Sequence, residues 1–181
     1  MTPLANHTNV LGRRGLKEVT HENLLASDDH PVYPSRLSGG KWVDECRKPQ
    51  LNPSVSEEVA FLFERARVSM IYGFFFLPLV ALATEESFRV LEAGVRHRCK
   101  QLGLAKHKSG KPTALPDKPY AELVAALHKA GEIPEKDLRM WKSMVFLRNT
   151  SSHGRLPSIR ARHDSLSQLR HIAELLNRLF K

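Results

Sequence analysis

Cysteine is scarce in this chain, and so are several other residues on which common chemistries depend. Only Cys46 and Cys99 occur, with no CxxC and no Cys/His ligand spacing, which argues against a disulfide framework and against a zinc site. Long apolar runs are missing too. The longest, Met70 to Ala83, spans 14 residues and contains Gly73 and Pro78, whereas a bilayer needs about 20, so it reads as a buried core segment and no membrane association is expected. The N-terminal stretch MTPLANHTNVLGRRG has no apolar h-region, and a cytoplasmic location is the expectation that follows. Neither GxxxxGK[ST] nor GxGxxG is present, which removes the usual nucleotide-phosphate loops. Strand-like alternation of useful length is absent as well. No metal and no cofactor is expected.

Acidic residues are rarest where basic ones are densest. Residues 1–58 carry 7 Lys and Arg against 8 Asp and Glu, residues 59–138 carry 12 against 9, and residues 139–181 carry 9 against 2. The last quarter alone therefore holds +7 of the net +9. A localised basic face is the electrostatic footprint of a polyanion binder, although a solvated basic helix surface has the same composition. With only Asp164 and Glu174 in this segment, the clustered carboxylates of a two-metal nuclease are not available there. Aromatic residues are few, so stacking on single-stranded bases would fall to Trp141 or Phe146, and phosphate contacts should dominate.

The organisation is helical. The first 50 or so residues, rich in Pro, Gly, Asn, Asp and Ser, read as an extended arm with one short helix. From Ser56 the pattern changes: Ser56-Glu57-Glu58 ahead of Val59, Phe61, Leu62 and Phe63 gives an N-cap with acidic first-turn residues. Pro78 should kink or restart that helix, and the next runs through VALATEESFRVLEAGVRHRCKQLG with Gly103 as its stop. KHKSGKPTALPDKP reads as a basic loop. YAELVAALHKAG places Leu123, Val124, Leu127 and Ala130 on one face. Pro134-Glu135-Lys136-Asp137 then opens a helix in which Leu138, Trp141, Val145 and Arg148 keep helical spacing, with Gly154 as a fitting terminator. The last helix should begin at Asp164 or Ser165 and carry Leu166, Leu169, Ile172, Leu176, Leu179 and Phe180 as its core stripe. The expected architecture is an all-α bundle of about five helices over residues 57–181, preceded by an N-terminal extension, partly irregular, over residues 1–56.

The most informative motif ends the penultimate helix, at Arg148-Asn149-Thr150-Ser151-Ser152-His153-Gly154. Cutting RNA without a metal requires a base for the 2′-hydroxyl proton, an acid for the departing 5′-oxygen and a cation for the charge on phosphorus oxygens. Histidine can serve as the first two and arginine as the third. Given 16 Arg and nine His in 181 residues, about one Arg five places before a His arises by chance, falling to about 0.1 when Asn, Asp or His must follow the Arg. His153 alone satisfies either form.

Residues five apart on a helix point about 140° from each other, whereas Asn149 and His153, four apart, share a face. Arg148 and His153 can therefore meet on one phosphate if the helix unwinds between them or if a second subunit supplies one of the pair. A two-fold dimer meets that requirement and provides two imidazoles. Alternatives remain for each residue: His153 as a helix-terminal histidine on free carbonyls, Arg148 as an ion-pair partner of Glu85, Glu86 or Glu92, and Asn149 as a surface amide or a group orienting the imidazole. The basic residues read as RNA contacts are Arg155, Arg160, Arg162, Lys142, Arg96 and Arg98.

A long helical hairpin, a shorter helix, an apolar helix ending in Arg-Asn-x-x-x-His and a final amphipathic helix together resemble the HEPN superfamily. The specific match is LRNTSSHG at 147–154, similar to that family's Arg-polar-x(3)-His signature. VLEAGVRHRC at 90–99 and AELLNRLF at 173–180 are weaker likenesses. The resemblance covers residues 57–181 and leaves out the first 56. It implies a bundle that dimerises side by side, with motif helices facing each other and paired Arg and His forming a metal-independent endoribonuclease centre. Carried over, it assigns Arg148, Asn149 and His153. It also implies a role in bacterial defence or toxin-type growth control, with an antitoxin or defence-system partner in trans. Toxin members often continue the motif with a further residue and a tyrosine, whereas here Gly154-Arg155 follows. The competing expectation is a non-catalytic helical module that binds RNA or a protein partner through the same basic face. Like-charged faces repel, so the expected dimer contact is apolar surface of the first hairpin, including Phe74 to Phe76.

Overall fold

The computed structural model describes residues 20–27, 37–104, 119–152 and 162–181. Among these, six α-helices and no strands are found: α1 (Gly39–Arg47), α2 (Glu57–Tyr72), α3 (Pro78–Gln101), α4 (Tyr120–Lys129), α5 (Glu135–Ser152) and α6 (Arg162–Leu179). Five of them fall within residues 57–181, as the sequence pattern predicts.

The central unit is the α2–α3 hairpin. The Ser56 hydroxyl caps α2 by accepting from the Val59 amide at 3.5 Å, and Pro78 begins α3 rather than kinking a continuous helix. Its missing N–H costs nothing in a first turn. Gly103 follows α3 at φ +64° and Gly131 follows α4 at φ +81°, conformations in which a Cβ would be strained. At Gly94 the issue is contact instead: a Cβ there would lie 2.3 Å from the Leu176 Cδ2, so this glycine lets α6 press against α3.

Helix α6 lies along α3, α4 also packs on α3, and α5 bridges α4 and α3. The core stripe read from the sequence is buried throughout, with Leu169, Ile172 and Leu176 fully inside beside Leu91, Val95 and Leu127. Burying each such side chain contributes about 1.5–3 kcal/mol relative to leaving it exposed.

The structure differs from the sequence reading in four places. Helix α6 starts at Arg162, two residues before Asp164. Ala130 is exposed because it ends α4 instead of continuing its face. Phe61 is exposed, since adjacent apolar residues on one helix cannot all face one core. The short helix expected in the N-terminal arm is present at Gly39–Arg47, but it is docked on the bundle and not part of an extended arm. Trp42 and Cys46 of α1 are buried with Met70, Leu77, Val80 and Leu166, and the Trp42 indole donates to the Met70 carbonyl at 3.0 Å and the Ile71 carbonyl at 3.2 Å. Farther along, the Asn52 amide donates to the Asn177 side chain at 2.7 Å.

That docking also covers the hairpin turn. Phe74, Phe75 and Phe76 are half-buried, and the Phe74 ring lies against Gly39. They are thus less open than a dimer contact built on them was expected to be. The exposed apolar residues of the hairpin are Phe61, Val68, Tyr72 and Leu82.

Candidate active site

Helix α5 presents two different faces near its C-terminal end. Trp141, Met144 and Val145 are buried, and Arg148, following them at helical spacing, reaches toward α3. There its Nε lies 2.9 Å and its Nη2 2.7 Å from Oε2 of Glu92. The other Glu92 oxygen, Oε1, accepts from Arg96 Nε at 3.1 Å and Nη2 at 2.6 Å. One carboxylate thus holds two guanidinium groups, one per oxygen. Of the candidate partners Glu85, Glu86 and Glu92, the structure selects Glu92 for Arg148, while Glu86 faces Arg65 and Arg89. The i,i+4 spacing of Glu92 and Arg96 was the sequence signal for half of this arrangement.

Arg148 is held but not consumed by this pair. A guanidinium has five N–H donors. Two of them, on Nε and Nη2, face Glu92, and Nη1 donates to the Asn149 side-chain oxygen at 3.2 Å. Two N–H groups have no partner among the described residues, and the side chain is 33% exposed. A fixed guanidinium with an open edge can take two oxygens of one phosphate in bidentate fashion. Asn149 itself is exposed, and its amide, tied to Arg148, orients both groups. His153 follows α5 in sequence and lies outside the described residues, as do Gly154, Arg155 and Arg160.

Tyr120, at the start of α4, is buried, and its hydroxyl has no hydrogen-bond partner among the described residues. Burial pushes its ionisation upward, reinforced by the Glu92 charge and opposed by Arg148. A neutral phenol, and not a phenolate, therefore stands near the Glu92–Arg148 pair.

The remaining sequence candidates divide by environment. Lys142 is exposed, with no ion-pair partner among the described residues. Arg96 is occupied by Glu92, and Arg98 by Glu132, whose Oε2 lies 2.8 Å from its Nη2, with the Phe180 ring beneath. Arg162 corrects the reading most clearly. It is only 5% exposed, and its guanidinium donates to the carbonyls of Gly73 and Phe74, closing the hairpin turn instead of facing a phosphate. A cation suits those helix-end carbonyls. His128, which has no partner at informative sequence spacing, has its Nδ1 2.8 Å from the Ile133 carbonyl oxygen and its Nε2 3.2 Å from Glu135. His97 sits against Phe180.

Sequence reasoning passed over Arg139 and treated Trp141 and Phe146 alike. Trp141 is core, whereas Phe146 is 68% exposed on the outer face of α5. Among the described residues no three His, Cys, Asp or Glu side chains are grouped to hold a metal ion, and no helix is long and apolar enough to cross a membrane. No protein-family model, curated protein or solved structure matches the chain.

Proposed function

We propose that the chain is a metal-independent endoribonuclease of the HEPN type, acting as a homodimer. The observation that carries this reading is the Arg148 guanidinium, anchored on its inner side by Glu92, joined to Asn149 and left with two donors unpartnered among the described residues, five positions before His153 in sequence.

In the proposed reaction a neutral His153 imidazole takes the proton of a ribose 2′-hydroxyl. The resulting oxygen attacks the adjacent phosphorus, the bond to the 5′-oxygen breaks, and His153 of the second protomer, protonated, gives that oxygen its proton. The products are a 2′,3′-cyclic phosphate and a 5′-hydroxyl. Arg148 stabilises the extra charge on the non-bridging oxygens as it develops. The resemblance adds a role in bacterial defence or growth control, with an antitoxin or defence partner in trans.

A second reading is favoured by the same ion pair. Glu92 is only 12% exposed and binds two arginines, as the inner tie of a non-catalytic module that binds RNA or a partner would be. An oligonucleotide with one ribonucleotide in an otherwise deoxy strand separates the two. The enzyme cuts it only 3′ of the ribonucleotide and leaves a cyclic phosphate, identified by mass spectrometry. The module binds it and leaves it whole.

A further inference from the structure

The outer face of α5 forms an open groove of about 660 Å³ beside the candidate site, and its lining has a specific chemistry. Arg139 and Lys142 contribute two exposed cations with no ion-pair partner among the described residues. That sets them apart from Arg65, Arg67, Arg96, Arg98, Arg170 and Arg178, each engaged by a carboxylate. Phe146 stands over the groove with its ring mostly in solvent. Glu135, the acid at the far end, lies against the His128 ring.

A large aromatic ring is costly to leave in water, and here it is followed on one helix face by Asn149, whose side-chain oxygen accepts from Arg148 on the neighbouring, inner side of the helix. Lys142 and Phe146 are separated by about 6 Å along the axis, and Phe146 and Asn149 by about 4.5 Å. These intervals are comparable to one or two steps of a stacked strand, about 3.4 Å each. A base on the ring would therefore put its flanking phosphates at Lys142 on one side and at Asn149 on the other.

We infer that this groove binds single-stranded RNA, with one unpaired base stacked on Phe146 and the backbone running from Arg139 and Lys142 toward Asn149. This rests on the proposed ribonuclease reading and adds a substrate class to it: unpaired strands over duplexes, because a paired base cannot offer its face to a side chain. The cations attract any polyanion, so the selectivity lies in the ring.

The test uses the full chain and a short 2′-O-methyl oligonucleotide, which lacks the attacking hydroxyl, by fluorescence anisotropy. Phe146→Ala should weaken binding of the single strand about tenfold, Phe146→Trp should stay within about twofold of the parent, and binding of the matching duplex should not change. Replacing Arg139 and Lys142 by Ala should lower the slope of log affinity against log salt by about 1.4. The proposal is overturned if Phe146→Ala binds the single strand like the parent, or if single strand and duplex weaken together. It is overturned equally if light scattering shows Phe146→Ala converting a dimer to a monomer, since a second copy of the chain would then be the occupant. Because the probe cannot be cut, the outcome is independent of catalysis. Intact RNA cleavage with an unchanged Phe146→Ala affinity rejects the groove alone, whereas Phe146-dependent binding without cleavage of ordinary RNA rejects the nuclease reading alone.

Discussion

Glu92 grips Arg148 across 56 positions of sequence, its Oε2 lying 2.9 Å from Nε and 2.7 Å from Nη2. Because Oε1 serves Arg96 at the same time, this carboxylate is both a tie between α3 and α5 and the device that aims the arginine.

Glu92→Gln should therefore have two separable effects. The amide keeps the shape but loses the charge facing two arginines, which should lower stability by about 1–2 kcal/mol for a partly exposed pair. In a chain of this size the melting temperature would fall by about 2–4 °C for each kcal/mol. RNA cleavage should fall much further than folding accounts for, at temperatures where circular dichroism shows a fully folded variant. Unchanged cleavage would make the pair structural only.

At Gly94, the contact with Leu176 predicts overpacking. Gly94→Ala brings a methyl group to 2.3 Å from Leu176 Cδ2, and the shift of α6 should cost about 1–3 kcal/mol. The urea midpoint measures it. A more stable variant would show that helix propensity outweighs this contact.

Alkaline stability depends on Cys46. Burial pushes its thiol from the ordinary 9.0 up to about 12. An unfolded chain releases that proton near pH 9 while the folded one keeps it, so the contribution is intact below pH 9. It is lost as pH rises toward 12, by about 1.4 kcal/mol per unit for one proton. Urea titrations across this range should show the decline, and it should flatten in Cys46→Ala. Native Cys46 should also resist iodoacetamide at neutral pH.

Self-association is expected through the hairpin's exposed apolar residues. Phe61, Val68, Tyr72 and Leu82 are open, and beside them the two cations Arg65 and Arg89 are matched by the two carboxylates Glu85 and Glu86, so this face lacks the repulsion of the α5 surface. Light scattering at micromolar concentration should give a dimer, and Val68→Glu with Tyr72→Glu should give a monomer. A parent protein that is monomeric with full activity would remove the two-subunit site.

Much of the scaffold was legible in the sequence because its signals are local. Ser56 before two glutamates, Pro78 at a helix start, Gly103 at a stop and the stripe from Leu166 to Phe180 depend only on backbone sterics and helical period. Apart from helix ends, at Ala130 and at the start of α6, the misreadings depend on tertiary neighbours. Arg162 looks like a surface cation until the carbonyls of Gly73 and Phe74 are seen beside it. Phe74 looks exposed until α1 arrives, whereas the stripe of Leu138, Trp141 and Val145 already set Trp141 apart from Phe146. At the site, Arg148 and Asn149 were readable from spacing, but the choice of Glu92 over Glu85 and Glu86 required the packing of α5 on α3.

Incubation of purified protein with single-stranded RNA in EDTA tests the central claim most directly, read by gel beside His153→Ala and Arg148→Lys. The account predicts cleavage that survives chelation, is abolished in His153→Ala and drops sharply in Arg148→Lys, because lysine keeps the charge but loses the fork. RNA that stays intact at every protein concentration, or cleavage that requires Mg²⁺ and persists in His153→Ala, would contradict it.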